Sequence, residues 1–231
     1  MADLSFYVGV IGNVISLLVF LSPVETFWGI VRRRSTEEYE CLPYICTLMS
    51  SSLWTYYGIM TPGEYLVSTV NGFGALAESI YVLIFLFFVP KSRFSKTVVM
   101  VLALNVIFPA IAIVGTRTAF GDAKTRSNSM GFICATLNIS MYGSPLSAIR
   151  TVVTTRSVQF MPFWLSFFLF LNGAIWGVYA FILHDVFLLV PNGIGFLLGS
   201  MQLLIYAYYR NASLNIEDEE ECFIPNNPLL A

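Results

Sequence analysis

At 231 residues, 57% hydrophobic and only 11% charged, with a mean hydropathy of +0.74, the chain carries more apolar side chains than a soluble core of this size could hide. A polytopic membrane protein is the class that remains; the net charge of −2 says little about partners, and nucleic acid is not among those expected. The four cysteines, Cys41, Cys46, Cys134 and Cys222, lack paired metal-ligand spacing, and no cleavage pattern interrupts the first apolar run, so no disulfide, metal or cofactor enters the reading.

Seven apolar segments are long enough to cross a hydrocarbon layer of about 30 Å, which takes roughly 20 helical residues. In chain order they lie near Leu4 to Val31, Leu42 to Met60, Tyr65 to Val89, Thr97 to Thr116, Ser129 to Val153, Phe160 to Leu183 and Val186 to Tyr209. Short joints rich in Arg, Pro, Gly and Asp separate them, among them Arg32-Arg33-Arg34, Thr61-Pro62-Gly63 and His184-Asp185. Beyond Asn211 the chain is polar, with an acidic run from Glu217 to Glu221, and its composition predicts a disordered tail.

Within this series the chain repeats itself. Ser22-Pro23 returns as Ser144-Pro145, Arg34-Ser35 as Arg156-Ser157 and Trp54 as Trp176, all offset by 122 residues. Asn71-Gly72 returns as Asn192-Gly193 at an offset of 121. A period this constant is a duplication. The expected fold is therefore all-α and membrane-embedded, with seven transmembrane helices as two three-helix repeats (1–89 and 129–210) joined by a linker with the unpaired fourth helix (90–128). Residues 211–231 form the tail. The odd linker span makes the two repeats parallel, and transporters commonly place their substrate site at such a repeat interface near the midplane.

Basic residues give an orientation. With the N-terminus lumenal or extracellular, nine of the twelve Lys and Arg face the cytosol (Arg32, Arg33, Arg34, Lys91, Arg93, Lys96, Arg150, Arg156, Arg210), and the C-terminus is cytosolic. The triplets Asn138-Ile139-Ser140 and Asn211-Ala212-Ser213 then fall where no glycosylation is expected.

The paired motifs Ser-Pro, Arg-Ser-Thr/Val, Leu/Met-Pro-Tyr/Phe and Asn-Gly-x-Gly, joined by one linker helix, resemble those of the SWEET family of sugar transporters over about residues 5 to 210. That family is itself a known example of parallel repeats about an axis along the membrane normal. Residues Met1 to Val10 and the loop from Ser35 to Glu40 resemble the plant subgroup of the vacuolar membrane; the plasma membrane is the second expectation. The resemblance implies bidirectional uniport of hexoses such as glucose and fructose by alternating access. It allows for a homo-oligomer.

Helix phase puts candidate residues on common faces. Ser16, Val19 and Pro23 share one face of the first span, and their twins Asn138, Met141 and Pro145 share one on the fifth. Ser50 and Trp54 are one turn apart, as are Asn172 and Trp176, and Asn71 and Asn192 lie at the depth of the tryptophans. Indole faces and neutral amides suit the C–H faces and hydroxyl rim of a monosaccharide. An isolated intramembrane Trp or Asn, by contrast, is more often an interfacial anchor or interhelical glue. The resemblance assigns Val19, Ser50, Met141 and Asn172 to the cavity wall; the bulkier Met141 and Asn172 predict a pocket narrowed toward hexoses over sucrose.

Pro23, Pro43, Pro145 and Pro162 cluster toward the cytosolic side, where each weakens a backbone ladder or starts a helix. The resemblance implies a four-proline inner gate and an outer closure through Tyr57 and Asp185. Glu78, the one acid well inside a span, is a hypothetical proton relay and otherwise a structural group between helices. His184 stands in a loop with no nucleophile arranged around it, and no phosphate-cradling glycine loop is present, so an enzyme is not expected. The alternatives are a proton-coupled exporter of amino acids or cystine, built around Glu78, and a sugar-sensing seven-helix receptor, which the short loops disfavour. Leu229-Leu230 after the acidic run resembles a vacuolar sorting signal.

Overall fold

The computed structural model describes residues 2–223, and among these it contains only helices and their connections. The first pass is α1 (Ala2–Leu21) continued by α2 (Val24–Arg33). The second and third are α3 (Leu42–Met60) and α4 (Tyr65–Phe88). The linker pass is α5 (Lys91–Val101), a π-helical segment at Leu102–Ile107 and α6 (Phe108–Ala119). The fifth pass is α7 (Ala123–Ser140) with α8 (Gly143–Thr155), followed by α9 (Phe163–Leu183) and α10 (Val186–Phe223). Six of the seven passes are long and apolar enough to cross a membrane by length and composition, and α3, of 19 residues, runs with them.

Helices are what these apolar runs can be, because hydrocarbon offers no partner for a backbone amide. The hydroxyls they carry are satisfied within the same helix: Thr47, Ser52, Thr55, Ser79, Thr116, Thr136 and Ser200 each donate to the carbonyl four residues back. The outward faces are apolar, with Trp28, Phe87 and Leu204 all more than 70% exposed. The breaks fall close to the paired prolines, three residues earlier in the second half than in the first. α1 stops before Pro23 and α7 before Pro145, each followed by a second helical stretch that ends on a left-handed arginine, Arg34 or Arg156, at φ 54°.

Packing turns the duplication into architecture. In each half the third helix sits between the other two: α4 packs on α1 and α3, α10 on α7 and α9. Across the halves α1 meets α9 and α3 meets α7, so a ring of six helices closes around a pseudo-twofold axis. The linker packs outside this ring, on α3, α4 and α7. Small residues permit the close approaches. A Cβ on Gly173 would lie 2.7 Å from the Phe196 amide nitrogen, and one on Gly58 would lie 2.6 Å from that of Ser68.

One buried cluster, with Leu53, Trp54, Tyr57, Cys134, Trp176 and Tyr179, joins the halves. A second, with Phe27, Ile30, Ile45, Tyr81 and Phe85, lies inside the first half toward the arginine-rich end. Two differences from the sequence expectation concern how far a helix runs and how regular it is. α10 continues past Tyr209 to Phe223, into the stretch whose composition suggests disorder, because no Pro or Gly interrupts it before Pro225. The linker helix loosens to π geometry ahead of Pro109, whose missing N–H removes a regular rung. Leu229-Leu230 lies outside the described residues.

Candidate substrate cavity

On the pseudo-twofold axis the six helices leave a cavity of about 170 Å³. All ten residues expected to touch substrate line it: Ser16, Val19, Ser50, Trp54, Asn71, Asn138, Met141, Asn172, Trp176 and Asn192. α1 and α7 bring Ser16, Val19, Asn138 and Met141; α3 and α9 bring Ser50, Trp54, Asn172 and Trp176; α4 and α10 bring the asparagines.

Part of the arrangement is symmetric. The Asn71 side-chain amide donates to the Val67 carbonyl at 2.9 Å, and its twin Asn192 donates to the Leu188 carbonyl at 2.8 Å. Each amide is thereby fixed by its own helix, and its oxygen remains an acceptor for a ligand hydroxyl. Each tryptophan rests edge-on against a tyrosine one turn away, Trp54 on Tyr57 at 5.3 Å and Trp176 on Tyr179 at 5.2 Å between centroids. Part is not symmetric. Ser16 donates to the Asn172 side-chain oxygen at 2.6 Å and accepts from the Trp176 indole nitrogen at 2.9 Å. No such chain joins the twins Asn138, Ser50 and Trp54 among the described residues.

The two ends of the bundle are in different states. At the amino-terminal end, bonds cross between the halves: Tyr57 donates to the Asp185 carboxylate at 2.7 Å, Thr61 and Ser127 share a hydrogen bond of 2.6 Å, and Tyr179 donates to the Gly63 carbonyl at 3.3 Å. At the arginine-rich end α2 packs on α4 and α8 on α10, each within its own half. Pro43 and Pro162 are exposed there and Pro23 and Pro145 half-buried. The cavity is thus sealed toward the amino terminus and accessible from the other side.

Six further lining residues were not anticipated: Phe20, Thr47, Ser51, Val67, Val70 and Leu188. Val67 and Leu188 carry a signal that could have found them, since they are repeat twins one turn before the two asparagines. A recess of about 250 Å³ in the second half adjoins the cavity and shares Asn138, Met141, Asn172 and Asn192 with it. Buried Gln202 lines this recess. In the first half its twin Tyr81 fills the corresponding space, donating to the Phe20 carbonyl at 3.0 Å and stacking on Phe27 at 4.6 Å. Glu78 is buried near Cys41 and Tyr44 inside the first half and lines neither space.

Two parallel three-helix repeats around a neutral, aromatic and amide-lined cavity, sealed at one end, define a membrane transporter for a small polar solute. Comparison with known proteins makes this specific. The family described as "Sugar efflux transporter for intercellular exchange" matches residues 6–93 and 128–214, the two repeats. The chain is 87% identical to the Arabidopsis thaliana bidirectional sugar transporter SWEET16 over the full length of both. It is 73% identical to Arabidopsis thaliana SWEET17, over 92% of this chain and 88% of that one. A solved eukaryotic SWEET transporter superposes with a TM-score of 0.84 at 36% identity, covering 91% of this chain and 99% of the other. The chain belongs to the SWEET family, whose members are transporters and not enzymes.

Proposed function

We propose that this protein is a bidirectional uniporter that carries hexoses such as glucose and fructose down their gradient by alternating access. The observation that carries this reading is the meeting of paired tryptophans and paired asparagines, one of each from each half, in a single uncharged cavity on the repeat axis. Uncharged donors and acceptors recognise a sugar's hydroxyls while binding it weakly enough for release, and the indole faces match its C–H surface. The cavity is small beside the roughly 300–1,000 Å³ of sites for drug-sized ligands, which favours a single ring. The relatives named as bidirectional sugar transporters support the same class of solute.

The residues take distinct roles in this cycle. Trp54, Trp176, Asn71 and Asn192 hold the ring, while Ser16, Ser50, Asn138, Val19, Met141 and Asn172 shape the wall. Tyr57 and Asp185 close the amino-terminal entrance, and Pro23, Pro43, Pro145 and Pro162 form the hinge and gate at the arginine-rich end. Nine basic residues at that end support a cytosolic assignment for it, with the amino terminus lumenal. The resemblance of Met1 to Val10 and of the 35–40 loop to the vacuolar plant subgroup supports residence in the vacuolar membrane. Assembly into a homo-oligomer is part of the same proposal.

Proton-coupled export built around Glu78 would need that acid on the solute's path, and it lies off the cavity, inside the first half. Uptake of labelled glucose, fructose and sucrose into liposomes holding the purified protein, with and without an imposed pH gradient, tests the reading. Hexose that equilibrates without being driven uphill is the expected result. Accumulation powered by the gradient, or no sugar flux at all, would overturn it.

A further inference from the structure

The two halves fill their interiors differently, and the difference leaves a second space beside the cavity. On α10, Asn192, Gly195, Gly199 and Gln202 fall at i, i+3, i+7 and i+10, one face of the helix, and all four line the recess of about 250 Å³. At the offset of 121 that relates Asn192 to Asn71, the twins of Gly199 and Gln202 are Glu78 and Tyr81, both buried. The first half is thus plugged at the depth where the second carries a glycine and a slimmer side chain. Tyr142, which also borders the recess, is held by its hydroxyl on the Pro191 carbonyl.

Gln202 is the group that packing alone does not account for. It is only 4% exposed and lines the recess, yet its side chain makes no hydrogen bond among the described residues. A buried amide carries two N–H donors and an acceptor oxygen, and leaving them unused costs free energy. An amide that glues helices together bonds across the interface; this one ends in a space. The wall toward the cavity is open in the same way. Among the described residues the Asn138 side chain has no partner, Asn192 keeps its oxygen free after donating to Leu188, and Asn172 keeps its nitrogen free after accepting from Ser16. Three neutral amides therefore stand on the boundary that the two spaces share, and a fourth stands at the far end.

Size, polarity and length say what the recess can take. Among the described residues no acid or base lines it, so it suits a neutral solute that carries hydroxyls. It is larger than the cavity of about 170 Å³, so a ring that fits the one fits the other. Leu169, Leu198 and Pro145 offer apolar surface to the ring's C–H face. Asn192 and Gln202 are ten residues apart, about 15 Å along α10, which is farther than one ring spans. The cavity and the recess are two places for a ring, one after the other, and Gln202 lies on the arginine-rich side of Asn192.

We propose that the recess is a second sugar subsite, a station that a hexose occupies between the cavity and the arginine-rich end, with Gln202 binding its hydroxyls there. The proposal rests on the transport reading above. A ring that moves into the recess keeps Asn138, Asn172 and Asn192 along one edge and gains the Gln202 amide at the other, so its hydroxyls change partners without losing all of them at once. The path is one-sided, because Glu78 and Tyr81 deny the equivalent space to the first half. The second ring of a disaccharide offers the same chemistry, with one molecule filling both spaces, and the experiment tells the two apart.

The test is protection of single cysteines by sugar, in liposomes holding a chain whose native cysteines are replaced by serine. Thr47 and Leu169 are repeat twins at the same depth on α3 and α9; Thr47 lines only the cavity and Leu169 only the recess. A change of state that opens or closes the bundle acts on both alike. At a glucose concentration about four times that for half occupancy, labelling of Thr47→Cys and of Leu169→Cys by a small methanethiosulfonate is expected to slow about fivefold. Gln202→Leu deletes the amide, and Gln202→Tyr copies the plug of the first half. Either is expected to abolish protection at Leu169→Cys and to leave that at Thr47→Cys close to the parent's. Glucose that protects Thr47→Cys alone, or protection of Leu169→Cys that both Gln202 variants keep, would overturn the second subsite and leave the transport reading standing. Protection of Leu169→Cys by sucrose but not by glucose would overturn the hexose station and assign the recess to a second ring. Protection at neither position would sink the transport reading itself.

Discussion

The two halves share a helix order, a pair of asparagines and a pair of tryptophans, yet they commit their polar and apolar groups differently. In the cavity, Ser16 of the first half ties Asn172 and Trp176 of the second into one chain, while Asn138, Ser50 and Trp54 carry no such bond among the described residues. Toward the arginine-rich end the order reverses. The first half is packed solid by Phe27, Ile45, Tyr81 and Phe85, and the second leaves a recess beside Gln202. Duplication therefore supplies a symmetric scaffold, and single substitutions on it divide the work. One wall of the cavity is braced and the other presents free donors; one half is stiff at the accessible end and the other has room to deform.

The largest expected effect concerns what the halves hold in common. Asn71→Ala and Asn192→Ala each remove an amide fixed by its own helix and facing the substrate, so each is expected to cut hexose flux at least tenfold with membrane targeting unchanged. A lost hydrogen bond to a buried polar group costs about 1–3 kcal/mol, and about 1.4 kcal/mol is tenfold. Equal losses in liposome uptake would support the symmetric pair. Parental flux in either variant would remove that asparagine from the site and break the symmetry.

Much of this was legible before any coordinates. Hydropathy gives the passes, and the constant offset gives depth and phase, which is why ten residues on six helices could be named and all reach one cavity. Depth also explains the acid that stands apart. Glu78 follows Asn71 by seven residues and nearly shares its face, but two turns carry it about 10 Å along α4, into the packed interior of the first half. The one-sided chain from Ser16 to Trp176 was not legible, because which rotamer bonds which neighbour depends on α1 meeting α9.

A substitution that makes the halves alike sharpens the comparison. Met141 and Asn172 line both the cavity and the recess, and their twins in the first half are Val19 and Ser50. Met141→Val combined with Asn172→Ser copies the first half into the second, removes bulk between the two spaces and frees Ser16. Sucrose uptake is expected to rise well above the parent's, with hexose uptake reduced only a few-fold. A well-folded double variant that still excludes sucrose would show that these two side chains do not set solute size.

The smallest effect separates the braced wall from the free one. Phenylalanine in place of tryptophan keeps an aromatic face against the neighbouring tyrosine and deletes the indole N–H. At Trp176 that N–H is held by Ser16 inside the protein, so Trp176→Phe removes one buried hydrogen bond, worth about 1 kcal/mol net. The expected result is a melting temperature lower by a few degrees and a nearly parental half-saturation for glucose. At Trp54, which lines the cavity, the N–H has no hydrogen-bond partner among the described residues, so Trp54→Phe is expected to leave melting unchanged and raise half-saturation about fivefold. Thermal melts and uptake curves on the two variants side by side decide the matter. If both variants lose stability alike, or both lose affinity alike, the two walls are equivalent after all and the asymmetry at Ser16 has no consequence for binding.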